Sequence, residues 1–167
     1  KITETNLKDC YVIEPTVFGD DRGFFMESFN QKKFNQLTGT NYNFVQDNHS
    51  KSSHGVLRGL HYQTKNSQGK LVRVTQGEIL DVGVDVRKNS PTFGKHFSII
   101  LKKKKKKQLW MPPGFAHGFV VLSESVDFLY KTTDYYYPEQ ECCIIWNDPT
   151  LNINWQFYGA PRLSEKD

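Results

Sequence analysis

No stretch of the chain approaches the roughly 20 consecutive apolar residues that a bilayer-spanning helix needs. The opening residues, Lys1-Ile-Thr-Glu-Thr, also lack the charged-then-apolar pattern of a secretory signal. These two absences predict a soluble, cytoplasmic chain with no membrane partner. Cysteine is scarce: Cys10, Cys142 and Cys143 make an odd count, and the last two are adjacent, a geometry that rarely supports a disulfide between them. Neither a Cys-x-x-Cys nor a Cys/His cluster with zinc spacing occurs, which argues against a thiolate metal centre. No fixed-period repeat occurs, which argues against a propeller or a solenoid. Apolar residues are few at 37%, yet aromatics reach 14%, so the core is expected to rest on Phe, Tyr and Trp. With 167 residues the chain has the size of one domain spanning 1–167.

The formal charge is +4, but much of the positive charge sits in the single run Lys102–Lys107, without which the balance is slightly acidic. That run lies between two strand-like segments, Phe97-Ser-Ile-Ile-Leu101 and Gln108-Leu-Trp-Met111. It reads as a solvated connection rather than a nucleic-acid patch.

What the sequence does contain is a succession of short β-rich segments separated by turns. The candidates are Tyr11–Ile13, Gly23–Phe29, Tyr42–Asn48, Val56–Tyr62, Lys70–Thr75, Glu78–Arg87, Lys95–Leu101, Gln108–Met111, His117–Leu122, Val126–Thr132 and Cys142–Trp146. The clearest is Glu78–Arg87, where Leu80, Val82, Val84 and Val86 alternate with Asp81, Gly83, Asp85 and Arg87, predicting one core face and one polar face. Gly77 before it predicts a tight hairpin back to Lys70–Thr75. One short peripheral helix is expected, with Asn30 as N-cap, Phe34 and Leu37 on one face, and a stop at Gly39. Many antiparallel strands at this spacing imply a sandwich or jelly-roll barrel.

Three polar clusters stand out: Phe44-Val-Gln-Asp-Asn-His-Ser50, Gly55-Val-Leu-Arg-Gly-Leu-His-Tyr-Gln63 and Gln68-Gly-Lys-Leu-Val-Arg73. Polar groups set in apolar strands cost stability unless paired, so the set points to a lined cavity on neighbouring strands. His61 lies mid-strand, as a satisfied core group, a metal ligand or a general base. In an ideal strand it shares a face with Gln63 and not with Arg58, so Arg58 and His61 meet in one cavity only if Gly59 marks a bulge; alternatively, Arg58 reaches a site on a partner chain. Pro112-Pro-Gly-Phe-Ala-His117 resembles the second cupin motif, and Gly55 with His61 resembles the start of the first. Where metal-binding cupins carry a second His, this chain has Gln63. Two imidazoles without a carboxylate are a weak set for Fe(II) or Zn(II), which favours acid–base chemistry over a metal. Tyr130, alternating with Leu129 and Lys131, can point its hydroxyl into the same cavity as a proton donor, and the rings at Tyr135–Tyr137 can offer a stacking face for a nucleobase.

Taken in order, Glu14-Pro-x-Val-Phe-Gly-Asp-x-Arg-Gly-Phe-Phe25, Phe44-Val-Gln-Asp-Asn-His-Ser50, Val56-Leu-Arg-Gly-Leu-His61, Gly69-Lys-Leu-Val-Arg73, Pro113-Gly-Phe-Ala-His-Gly-Phe119 and Trp146-Asn-Asp148 resemble the dTDP-4-dehydrorhamnose 3,5-epimerases over nearly the whole chain. The resemblance implies an all-β cupin jelly roll (double-stranded β-helix), a homodimer, and an isomerase acting on a nucleotide-linked 4-keto-6-deoxyhexose without metal or other cofactor. By matching motif, it implies His61 as base, Asp167 as its orienting carboxylate, Tyr130 as acid and Lys70 as the enolate-stabilising cation. It further implies that Arg22, Glu27, Gln46, Asp47, Asn48, Arg58, His117, Glu141 and Lys166 bind the sugar nucleotide. Tyr136 is the preferred stacking ring, with Tyr135 second, and Asp81 pairs with His117. The chain departs from the family in the Lys102–Lys107 run and in placing Asp167 at a terminus, where mobility is expected. Two other readings remain at this point: a metal-dependent cupin oxygenase and a non-catalytic sugar-nucleotide-binding cupin.

Overall fold

The computed structural model describes residues 1–167. Two antiparallel sheets face each other. The first has six strands in the order β1 (Ile2–Glu4), β2 (Tyr11–Ile13), β10 (Gln108–Met111), β7 (Lys70–Gln76), β12 (Ser125–Thr132) and β5 (Gln46–Ser53). The second has five, in the order β13 (Glu141–Cys143), β6 (Leu57–Gln63), β11 (Phe115–Val121), β8 (Glu78–Asp85) and β9 (His96–Lys102). A separate hairpin joins β3 (Val17–Asp20) to β4 (Gly23–Met26). This is the expected cupin jelly roll, with one short helix, α1 (Gln31–Thr38).

Most of the expected strands are present with ends shifted by a residue or two. Tyr42–Asn48 is the largest error: only Gln46 onward is extended into the sheet, because Tyr42 and Phe44 instead pack with Phe29 around Phe34, Leu71 and Trp110. Beyond Met26 the expected strand Gly23–Phe29 leaves its partner, and the strand expected to run to Trp146 ends at Cys143. The helix starts and stops as expected: the Lys33 N–H donates to the Asn30 side chain, and Gly39 takes the left-handed conformation at φ 67°. Phe34 docks edge-on against Trp110 at 4.9 Å between ring centroids, but Leu37 stays half exposed.

Gly77 does not close a hairpin. β7 pairs with β10 and β12, whereas β8 pairs with β11 and β9, so Gly77 is a corner at which the chain changes sheets. Its φ is 86°, and an added Cβ would fall 2.0 Å from the Ser125 carbonyl oxygen. Only glycine fits that corner.

The alternation in β8 is real, but both of its faces are buried. Ile79 and Asp81 point between the sheets, where Val72, Val74, Leu109, Phe119 and Phe128 form the main core. Leu80, Val82 and Val84 point outward, where Trp146, Leu151, Ile153, Trp155 and Phe157 of the irregular C-terminal segment cover them. Burying each such side chain is worth about 1.5–3 kcal/mol, so this outer layer is a second core rather than a surface. The expected polar face is therefore interior. At its end, the Asp85 carboxylate accepts hydrogen bonds from Arg87, Ser90 and Thr92. Burial pushes this carboxyl up, but those bonds outweigh it and hold its pKa at about 2.

Candidate active site

A cavity of about 370 Å³ opens between the two sheets. The five-stranded sheet contributes Arg58 and His61 from β6, His117 and Phe119 from β11, and Glu141 from β13; the C-terminal segment adds Lys166 and Asp167. The six-stranded sheet contributes Gln46, Asn48 and Ser50 from β5, Lys70 from β7, and Phe128 and Tyr130 from β12. The three polar clusters of the sequence thus meet, though not as neighbouring strands: β6 belongs to the opposite sheet, and β12 separates β5 from β7.

Strand parity alone would have turned Arg58 away. The pairing of β11 with β6 runs His117 to His61, then Phe119 to Arg58, which inserts one extra residue into β6. Gly59 sits in that bulge with φ 114°, and a Cβ there would come within 2.5 Å of the His117 carbonyl oxygen. The bulge brings Arg58 and His61 to one cavity, where the Arg58 Nε–H donates to Ser52 Oγ at 3.0 Å.

His61 is placed between two carboxylates. Its Nε2 lies 2.7 Å from Asp167 Oδ1, and its Nδ1 lies 3.8 Å from Glu141 Oε1. The Asp167 contact is close but bent, so that the fully buried Nε2 makes no well-aligned hydrogen bond. Burial is the largest influence on the imidazole and lowers its pKa against the opposing pull of Asp167 and Glu141, keeping it neutral and able to accept a proton. Asp167 is tied into the cavity wall. Its side chain is only 2% exposed, with Oδ1 accepting from the Gly59 N–H (3.0 Å) and Oδ2 from the Ser164 hydroxyl (2.6 Å).

Lys70 lies at the start of β7, almost fully buried. Burial lowers its pKa to about 8, against the opposing pull of the Glu141 and Asp81 carboxylates. Its ammonium forms no ion pair with either, which leaves it free for negative charge developing in the cavity. Across from His61, Tyr130 stands on β12 between Asn48 and Val72, and burial raises its hydroxyl pKa so that it stays protonated. His117 Nε2 lies 2.6 Å from Asp81 Oδ1, the buried dyad that the resemblance implied, and its ring stacks on Phe128.

The remaining expected residues divide. The Tyr136 hydroxyl donates to Glu141 Oε2 at 2.8 Å, and its backbone N–H donates to Gln46 Oε1; Tyr136 lines the cavity and Tyr135 does not. Lys166 pairs with Glu141 at 3.1 Å. Asp47, by contrast, faces the other side of β5, exposed and paired with Lys131 at 2.8 Å. Arg22 and Glu27 lie outside the cavity of their own chain: Arg22 is held by Asp20 at the tip of the β3–β4 hairpin, and Glu27 pairs with Lys33. Phe119 and Phe128 were missed as lining residues, although strand parity already put them on the faces of His117 and Tyr130. Gln63 is no metal ligand: its amide donates to the carbonyls of Asn66 and Tyr135 and accepts from the Tyr137 N–H. It braces the loop that carries Tyr136.

An imidazole on one sheet faces a phenol on the other, with an unpaired buried cation beside the phenol, a set suited to acid–base isomerisation in a jelly-roll enzyme. Comparison with known proteins agrees. The family model for dTDP-4-dehydrorhamnose 3,5-epimerase matches residues 4–167. The dTDP-4-dehydrorhamnose 3,5-epimerase of Pseudomonas aeruginosa is 59% identical, covering 100% of this chain and 92% of its own length. The crystal structure of a dTDP-6-deoxy-D-glucose-3,5-epimerase from Legionella pneumophila in complex with dTDP-4-keto-L-rhamnose superposes with a TM-score of 0.97 at 52% identity, covering 100% of this chain and 89% of that one. A 3'-monoepimerase from Streptomyces bikiniensis in complex with dTDP-quinovose gives a TM-score of 0.91 at 30% identity, covering 98% and 83%. The chain belongs to the dTDP-4-dehydrorhamnose 3,5-epimerase family.

Proposed function

We propose that the chain epimerises a dTDP-linked 4-keto-6-deoxyhexose at C3 and C5 without metal or other cofactor. The observation that carries this reading is the projection of His61 and Tyr130 from opposite sheets into one cavity, with Lys70 on the same wall as Tyr130. A 4-keto group acidifies the hydrogens on both C3 and C5. His61 removes one of them: the C–H bond breaks, its electron pair moves toward the carbonyl oxygen, and Lys70 stabilises the resulting enolate. Tyr130 then gives its proton to the same carbon from the other face as the carbonyl reforms, which inverts the centre. The phenolate regains its proton from water, and His61 releases its proton to water. One base serves both carbons in turn.

Gln46, Asn48, Arg58, His117, Glu141 and Lys166 hold the sugar nucleotide, and Tyr136 stacks on the base. Arg22 and Glu27 fit this scheme in a homodimer, where the β3–β4 region of one chain reaches the partner's cavity. The exposed rings of Phe18, Phe24 and Phe25 on that hairpin support such a covered surface. No helix is long and apolar enough to cross a membrane, and three free thiols support a reducing, cytoplasmic setting.

The pH profile of kcat/KM tests the roles. His61 must be neutral, and its lowered pKa moves the acid limb below the ordinary histidine range of about 6.5. Lys70 must be charged, so activity falls as pH rises through about 8. Lys70→Arg keeps its charge at high pH, and it is expected to lose the alkaline limb even if its maximum rate is lower. An unchanged alkaline limb in Lys70→Arg would remove Lys70 from that role.

A further inference from the structure

Cys143 has no part in the proposed reaction, yet it stands beside the base. In the β13–β6 pair it lies directly opposite His61. Leu60 and Ile144, the next pair along, exchange both of their backbone hydrogen bonds, so His61 and Cys143 form a non-hydrogen-bonded pair, the kind whose side chains approach more closely. Cys143 shares its strand face with Glu141 and therefore points toward the same end of the cavity as the imidazole. One ligand atom each from His61, Cys143 and Asp167 fall within 4.8 Å of one another. These residues lie far apart in the sequence, which is why no ligand spacing betrayed them. A second observation points the same way: His61 Nε2 is completely buried and lacks a well-formed hydrogen bond.

We propose that these three residues form an inhibitory site for a soft, borderline divalent cation, of which Zn²⁺ is the best fit. One imidazole, one thiolate and one carboxylate with an open fourth position is a ligand set that zinc takes, at about 2.0–2.3 Å from each atom. Only a small inward movement of the three atoms is needed, and the exposed edge at Cys143 gives the ion a route from solvent. On binding, the thiol loses its proton to water while sulfur, nitrogen and oxygen each donate a lone pair to the metal. A metal on the buried Nε2 leaves the proton of the neutral imidazole on Nδ1, the nitrogen on the Glu141 side of the cavity, so that nitrogen can no longer accept the substrate proton and the ion switches the base off; this consequence rests on the assignment of His61 as base. Magnesium and calcium prefer all-oxygen shells and should be ineffective.

Cobalt(II) is the spectroscopic probe, because a bound thiolate gives it a ligand-to-metal charge-transfer absorption that needs no enzyme activity. The unmodified protein, freed of metal with EDTA, is expected to show this band on addition of Co²⁺. Cys142→Ala, on the opposite strand face, should keep the band, and Cys143→Ala should lose it. In the epimerase assay Zn²⁺ should inhibit the unmodified protein reversibly, with EDTA restoring the rate. Cys143→Ala should keep its metal-free rate and require at least about tenfold more Zn²⁺ for the same inhibition; Cys143→Ser serves if the alanine variant does not fold. A Co²⁺ band that survives Cys143→Ala, or no band at all, overturns the site. Equal zinc sensitivity in both proteins overturns the inhibition. If the protein proved not to be an epimerase, the cobalt band would still decide whether the metal site exists.

Discussion

His61→Ala is expected to reduce turnover by about 10²–10⁴-fold, the range that a positioned acid or base supplies, equivalent to about 2.7–5.5 kcal/mol of barrier. Nucleotide-sugar affinity should stay nearly the same, because Gln46, Asn48, Arg58 and Tyr136 keep their own contacts. Loss of the imidazole leaves Asp167 anchored through the Gly59 N–H and Ser164, so the wall of the cavity should not collapse. The two readouts together are diagnostic. A non-catalytic sugar-binding protein has no turnover to lose, and a purely structural His61 would show its loss in folding and binding alike. Turnover equal to the parent's would remove His61 from the mechanism. The comparison is made by steady-state kinetics alongside calorimetric titration with a dTDP-sugar.

Tyr130→Phe is expected to separate two events that normally occur together. The substitution removes only the hydroxyl, and the ring keeps its packing against Phe128 at 5.6 Å between centroids. His61 still removes the substrate proton and Lys70 still holds the enolate, so the variant should continue to exchange solvent deuterium into substrate. Inverted product should form about 10²–10⁴ times more slowly, because the donor on the second face is gone. Equal loss of exchange and inversion would make Tyr130 a positioning residue for both steps. Inversion at the parent rate would assign the donor to another group or a water, with Tyr136 and His117 the alternatives that line the cavity.

The fold class was legible because alternation and turn chemistry are local, and of the strands that carry the site β5, β7 and β12 keep the alternation through the site residues while β6 breaks it at Gly59. β7 and β12 are recognisable from short β-branched and aromatic runs, and β6 and β10 from apolar segments bounded by turn or charged residues. β1 and β3 were not: Ile2-Thr-Glu4 carries a single apolar residue, and Gly19 and Asp20 interrupt Val17-Phe-Gly-Asp20. Direction proved harder than existence. In β8 the apolar residues face an outer layer built from coil, and Asp81 and Asp85 face the barrel; alternation says that two faces differ but not which one is interior. Gly77 carried the same ambiguity, since a left-handed glycine between two strands suits a sheet-to-sheet corner as well as a hairpin.

For the site, the bulge at Gly59 was a condition that the sequence could state and only the register could meet. Gln46, Asn48, Arg58, His61, Lys70, His117, Tyr130, Tyr136, Glu141, Lys166 and Asp167 converge on one cavity. Asp47 does not, for the simple reason that it is one residue out of phase with Gln46 and Asn48. Arg22 and Glu27 do not reach it either: one is held by Asp20 at the tip of the β3–β4 hairpin and the other by Lys33 just beyond it, and motif matching alone does not report where a hairpin folds. The grouping of Cys143 with His61 and Asp167 was equally invisible, because cross-strand pairing sets it and sequence spacing does not.

The most direct test of the central claim is deuterium incorporation from D₂O into dTDP-4-keto-6-deoxyglucose by the EDTA-treated protein, followed by NMR at C3 and C5. The account predicts exchange at both carbons, with inversion, and no stimulation by added Fe(II). Exchange at one carbon only would make the enzyme a mono-epimerase and contradict the proposed double reaction. No exchange without metal, restored by Fe(II), would contradict acid–base epimerisation altogether.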